Sequence, residues 1–299
     1  MVTEYDEFSM FHENAEEYGI PYDGPPTVRR EATLLDDGRA LSSLVWGDGE
    51  PEYFFLHGGA QNAHTWDTVA LALGRPLVCV DLPGHGHSGP GRDGSLDVHA
   101  NARDLAVVLR TLAPKAKAVI GMSLGGMTSI ALAHVAPELV RKLVLVDVTP
   151  TIDPDRSAHI GAFVNGPESF DSFDELLERT CAFNPTRSVA SMRRGILHNA
   201  VQRDDGTWVW RYARFRADDA ETDVSMAGLS PLWDIVSELE MPLLLARGMR
   251  DQSVVGDEDV AELLRRKPDA LVVEFERSGH SIQGDEPVEL AETIRDFAP

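Results

Sequence analysis

Cysteine is nearly absent from this sequence. The 299 residues contain two, Cys79 and Cys181, too few for a disulfide framework and without the spacing of a cysteine-based metal site. Cys79 lies in the apolar run 76–80 and reads as a buried strand residue. Long hydrophobic runs are missing as well: none approaches the ~20 residues that a membrane-spanning helix needs. The first residues, M-V-T-E-Y-D-E-F-S-M, are acidic and lack the apolar core of a secretory leader, so a cytoplasmic protein is expected. Basic charge is in short supply: 27 Lys and Arg stand against 49 Asp and Glu, for a formal net charge of −22. Such a surface repels nucleic acid and anionic lipid, and neither is expected as a partner. Internal repeats and low-complexity tracts are also missing.

What is present is an ordinary globular composition, 43% hydrophobic and 25% charged, on a chain long enough for a large core. Residues 1–27 are polar, with a short helical pattern at 11–18 and several prolines at 21–26, which predicts an N-terminal extension packed on the surface. Short apolar runs follow at 53–56, 77–80, 118–120, 143–146, 243–246 and 271–275. They are continuous rather than alternating, as in parallel strands buried on both faces. Helical patterns fall between or after them, at 66–73, 98–112, 124–135, 258–266 and 288–297. This order predicts an α/β sheet wrapped by helices on both faces. Weaker alternating runs at 30–35 and 41–46 predict an antiparallel pair ahead of it.

The rhythm stops between Pro150 and Glu240. That stretch holds amphipathic patterns near 172–180 and 189–197 and a candidate hairpin about Asp205-Gly206. It is too long for a plain connection. Residues 151–240 are therefore expected to form a cap inserted into a core made of 28–150 and 241–299.

Within this frame one serine stands out. Ser123 lies in V-I-G-M-S-L-G-G-M-T, after an apolar run and before a helical pattern. G-x-S-x-G in that setting predicts a nucleophile elbow, a turn so tight that only glycine fits beside the serine. A serine hydroxyl needs a base. His280, in S-G-H-S-I-Q after the last apolar run, should emerge on the same sheet edge. His85 and His87, in D-L-P-G-H-G-H-S, read as loop-bracing residues, as does His57. Two carboxylates compete to orient His280: Asp147, in V-L-V-D-V-T-P, and Asp251, in A-R-G-M-R-D-Q-S-V. Asp147 ends a wholly apolar strand, where an unpartnered charge is costly, and this favours it; Asp251 stays open. An oxyanion needs donors. The N–H of Leu124 is one, and the loop F-L-H-G-G-A-Q-N offers Gly59, with Ala60 next in order.

Together these motifs resemble the α/β-hydrolase fold family from about Val28 onward. The set H-G-G-A-Q-N-A-H-T-W, D-L-P-G-H-G-H-S, G-M-S-L-G-G, L-V-L-V-D-V-T-P, T-W-V-W-R-Y and S-G-H-S-I-Q, with the acidic H-E-N-A-E near the start, is similar to cytosolic mycobacterial serine carboxylesterases. The resemblance implies a mostly parallel eight-stranded sheet with an inserted cap. It also implies hydrolysis of small carboxylic esters with no cofactor; a serine nucleophile would equally suit thioesters or lactones, and no metal is expected because no metal-ligand spacing is present. It carries Ser123 over as nucleophile, His280 as base, and Gly59 and Leu124 as oxyanion donors. The family's acid follows either the sixth or the seventh strand, so Asp147 and Asp251 both remain. Within the cap, Phe163, Phe170, Phe183, Trp208, Trp210, Tyr212 and Phe215 are candidates for an acyl pocket or for gluing cap to core. Arg193 and Arg194 would suit a second reading, a carbon–carbon bond hydrolase acting on diketone acids. A third reading is a non-catalytic ligand receptor on the same fold.

Overall fold

The run Tyr53–Leu56 is apolar throughout because both of its faces are covered. Strand side chains alternate. Phe54 and Leu56 join a cluster with Leu105, Ile130 and Leu145, while Tyr53 and Phe55 join another with Trp66, Leu77 and Leu290. The other central strands follow the same rule, which places one hydrophobic core on each side of a sheet.

The computed structural model describes residues 5–94, 97–151, 153–212 and 226–299. The strands are β1 (Val28–Leu34), β2 (Ala40–Trp46), β3 (Tyr53–Leu56), β4 (Leu77–Val80), β5 (Ala118–Met122), β6 (Leu143–Val146), β7 (Ser169–Phe170), β8 (Ala200–Gln202), β9 (Trp208–Trp210), β10 (Leu243–Gly248) and β11 (Leu271–Phe275). The helices are α1 (Phe11–Tyr18), α2 (Asp67–Leu73), α3 (Val98–Leu112), α4 (Leu124–Val135), α5 (Pro154–Val164), α6 (Phe173–Phe183), α7 (Val189–Asn199), α8 (Met226–Glu238), α9 (Asp257–Arg266), α10 (Ile282–Asp285) and α11 (Pro287–Phe297).

Eight strands form the main sheet in the order β1-β2-β4-β3-β5-β6-β10-β11. β2 runs antiparallel to β1 and β4, and the remaining neighbours are parallel. Helices α3, α4 and α8 cover one face, and α1, α2 and α11 the other. Helices α3 and α4 keep the bounds read from the sequence.

Between β6 and β10 lies an insertion of helices around a small antiparallel sheet ordered β7-β9-β8. The expected hairpin is there, with Gly206 at φ +90° in its turn. Two helices of the insertion were not foreseen. Helix α5 has a start signal in D-P-D-R: the Asp153 carboxylate accepts from the N–H groups of Asp155 and Arg156, and Pro154 opens the first turn. Helix α8 carries Pro231 internally, which reads as a breaker. Burial of Leu232 and Val236 in the main core supports it despite that residue. Phe215 lies outside the described residues.

The N-terminal segment packs Phe11 against Trp46, with ring centroids 4.8 Å apart, and it also reaches the insertion. Glu17 accepts from Arg194 and Ser188 on and beside α7, and the Tyr18 hydroxyl donates to the Gly284 carbonyl at 2.6 Å. Among the described residues no helix is long and apolar enough to cross a membrane.

Candidate active site

Ser123 sits between β5 and α4 with φ +50° and ψ −119°. This is strained backbone for a residue with a side chain, at a cost of about 1–3 kcal/mol. The neighbouring glycines make it possible. A Cβ on Gly121 would lie 2.5 Å from the Gly125 carbonyl oxygen, and one on Gly125 would lie 2.4 Å from that of Leu56. No side chain fits either gap. Leu124, as the first residue of α4, has an N–H with no acceptor inside the helix.

Asp147 follows β6, also at positive φ, and is completely buried. Its Oδ1 accepts from the Gly248 N–H at 2.9 Å and the Ser253 hydroxyl at 2.6 Å. Its Oδ2 accepts from the Val254 N–H at 3.0 Å and faces His280 Nδ1 at 2.9 Å. Four donors occupy both oxygens, which is how a buried carboxylate avoids a large desolvation cost. The carboxylate acts only as acceptor, so Nδ1 of His280 carries the proton and Nε2 is the basic nitrogen. Asp251 is exposed. Its loop meets the pair through Ser253 and Val254, which donate to Asp147. Neither residue was foreseen; the signal was a hydroxyl two positions beyond a candidate acid.

The donor loop after β3 is braced by two histidines. The Leu82 N–H donates to His57 Nε2 at 2.9 Å, so Nδ1 holds the proton and donates to the Gly58 carbonyl at 2.7 Å. Burial, with His85 nearby, pushes His57 down to about 3, which keeps this tautomer neutral. The two ends of a trans peptide point opposite ways, so a Gly58 carbonyl held by His57 turns the Gly59 N–H away from that ring. The Ala60 N–H donates to His85 Nε2 at 3.2 Å. The Ala60 N–H is thus engaged by a histidine of the loop after β4.

A cavity of about 560 Å³ is lined by Ser123, His280, Leu124 and Gly59 together. Phe163, Phe183 and Trp210 line it too. Phe170 and Trp208 instead form the insertion's own core with Leu176 and Ile196, and Tyr212 packs with Ala60 and Val164. Arg193 is exposed, and Arg194 is buried with its charge paired to Glu13 and Glu17.

Another polar group lines the same cavity. His64 Nδ1 lies 2.8 Å from Asp67 Oδ2, and its Nε2 lies 3.2 Å from Glu7 Oε2. Burial opposes its charge, but Asp67 and Glu7 outweigh that and raise it to about 9. His198 stacks on its face at 3.7 Å between centroids and 11° between planes. His64, Asp67 and His198 bring three metal-ligand atoms within 4.8 Å. Parallel stacked rings do not aim their in-plane lone pairs at one point, so the arrangement suits a hydrogen-bonded cluster better than a metal site. The sequence reading missed it, since no spacing pattern marks it.

An elbow serine, a buried Asp–His pair and a braced amide loop at one edge of a mostly parallel sheet define a hydrolase of the α/β class. The profile described as Alpha/beta hydrolase family matches residues 53–293, and the chain belongs to that family. It is 46% identical over 303 residues to the esterase Rv0045c of Mycobacterium tuberculosis, covering 98% of this chain and 96% of that protein. A crystal structure of that esterase superposes with a TM-score of 0.81 at 44% identity, covering 99% of each chain. The chain is also 27% identical to the 2-(acetamidomethylene)succinate hydrolase of Mesorhizobium japonicum, over 88% of this chain and 93% of that protein.

Proposed function

We propose that this chain is a serine esterase in which Ser123, His280 and Asp147 act as nucleophile, base and orienting acid. The supporting observation is the His280 Nδ1 to Asp147 Oδ2 contact of 2.9 Å, in a residue that lines one cavity with Ser123. The likeness to an esterase over nearly the full length supports the substrate class. Ser123 Oγ attacks the ester carbonyl while His280 Nε2 takes its proton. The N–H groups of Leu124 and Gly59 receive the oxyanion. The imidazolium, steadied by Asp147, protonates the departing alkoxide, and a water repeats the sequence to free the acid and regenerate Ser123.

The residues 28–150 and 241–299 serve as the catalytic core, and 151–240 as a cap that closes the acyl pocket with Phe163, Phe183 and Trp210. A carbon–carbon bond hydrolase needs a cation free to receive a substrate carboxylate. Arg193 lies outside the cavity and Arg194 is paired with acidic residues, while Arg187 lines it with its Nε unpartnered, so the ester reading rests on the likeness to an esterase. A non-catalytic receptor would not need the strained serine or the four-donor carboxylate. The test is Ser123→Ala assayed on p-nitrophenyl butyrate, with fluorophosphonate labelling of the wild type. Loss of turnover and a single labelled serine are expected. Undiminished hydrolysis by the variant overturns the proposal.

A further inference from the structure

The loop that carries Gly59 is held by the insertion as well as by the core. Asn199, the last residue of α7, donates from Nδ2 to the Ala60 carbonyl at 2.7 Å. Its Oδ1 accepts from Asn62 Nδ2 at 3.2 Å, and that same Asn62 nitrogen also donates to the His198 carbonyl at 3.1 Å. The Asn199 carbonyl in turn accepts from the Arg211 N–H at 2.8 Å, which anchors it to the insertion's hairpin.

Ala60 needs such a hold. Its φ is +59°, a left-handed conformation that an alanine does not adopt unaided. Consecutive peptide units of the loop each have an assigned partner. His57 takes the Gly58 carbonyl, His85 takes the Ala60 N–H, and Asn199 takes the Ala60 carbonyl. Two of these partners belong to the core and one to the insertion. Releasing the third lets Ala60 relax toward negative φ. Rotation there swings the Gly59–Ala60 unit and, through it, the preceding Gly58–Gly59 unit, whose N–H is read as the oxyanion donor.

We propose that Asn199 is a positioning residue for the oxyanion-binding loop, so that the loop takes its working shape only with the insertion docked on the core. The inference rests on the reading of Gly59 as an oxyanion donor. Asn199 also lines the cavity, so any direct contact with substrate is read in KM; proton transfer by His280 does not pass through Asn199, whereas stabilisation of the tetrahedral oxyanion does.

Two variants test it. Asn199→Ala removes both bonds. Asn199→Asp keeps the shape and the acceptor toward Asn62 but places a carboxylate oxygen against the Ala60 carbonyl. For each, kcat and KM are measured on p-nitrophenyl butyrate, with the affinity of a trifluoromethyl ketone that adds to Ser123 as an oxyanion, the pH profile of kcat/KM, and the melting temperature. Loss of a whole oxyanion donor costs roughly 100- to 1,000-fold in kcat, so a misplaced one should cost about 10- to 100-fold. The ketone should weaken by the same factor as kcat, beyond any change in KM, with the pH profile of Asn199→Ala unchanged and Asn199→Asp at least as impaired as Asn199→Ala. Unchanged kcat and ketone affinity in Asn199→Asp overturn the inference. So does a fall in kcat accompanied only by a lower melting temperature, with ketone affinity kept. Ser123→Ala separates the two levels: if it also keeps full activity, the esterase reading has failed rather than the role of Asn199.

Discussion

Among the described residues, two buried histidine–aspartate pairs are built from the same contact. His280 Nδ1 meets Asp147 Oδ2 at 2.9 Å, and His64 Nδ1 meets Asp67 Oδ2 at 2.8 Å. They differ in what occupies the rest of each pair. Both nitrogens of His64 face carboxylates, Asp67 on one side and Glu7 on the other, so the ring is held as a cation to about pH 9. A ring in that state has no lone pair for a substrate proton. Asp147, by contrast, is saturated by Gly248, Ser253 and Val254, and only one nitrogen of His280 is committed to it. An imidazole is a base where one nitrogen is left for the reacting group; add a second carboxylate and it becomes a structural cation.

The carboxylates separate the two pairs by the largest expected effect. Asp147→Asn should lower kcat/KM on a p-nitrophenyl ester by about 10⁴-fold, because the histidine loses its orienting charge. Asp251→Asn, at an exposed position, should stay within about twofold of wild type. The reverse ranking would reassign the acid. At the other pair, His64→Gln should leave the kcat of folded enzyme within about threefold, yet reduce stability in urea by on the order of 3 kcal/mol. Loss of turnover at unchanged stability would make His64 part of the chemistry.

The pH dependence sharpens the same contrast. The folded pKa of His64 is raised, so its contribution is complete below about pH 6.5 and fades as pH climbs through about 9. His57 works in the other direction: its folded pKa is lowered to about 3, so stability declines as pH drops below about 6.5 toward that value. Urea midpoints from pH 6 to 9 should fall for wild type and flatten on the alkaline side for His64→Gln. The smallest effect belongs to the apolar wall. Phe163→Ala should lower kcat/KM for an octanoate ester by about tenfold or less and leave an acetate ester nearly untouched. Equal losses on both esters would remove Phe163 from the acyl pocket.

The strands and helices of the core were legible because burial on both faces leaves a continuous apolar run, and 98–112 and 124–135 could be bounded to the residue. The insertion was harder. Its strands have two or three residues each, too short for a period to register, and α8 is helical across a proline because tertiary burial outweighs local preference. Of its candidate aromatic residues, Phe163, Phe183 and Trp210 reach the cavity while Phe170 and Trp208 do not. No local feature of the chain separates these two groups.

By itself the sequence determined the strand–turn–helix around Ser123, since those glycines are required by contacts within a few residues and across one neighbouring strand. It also determined that His280 follows the last strand. Only the tertiary structure decided which carboxylate meets that histidine and what holds the amide loop. His280 and Asp147 are 133 residues apart, and Asn199 and Ala60 are 139 apart. Their meeting depends on strand order and on how the insertion docks, and local patterning carries no information about either.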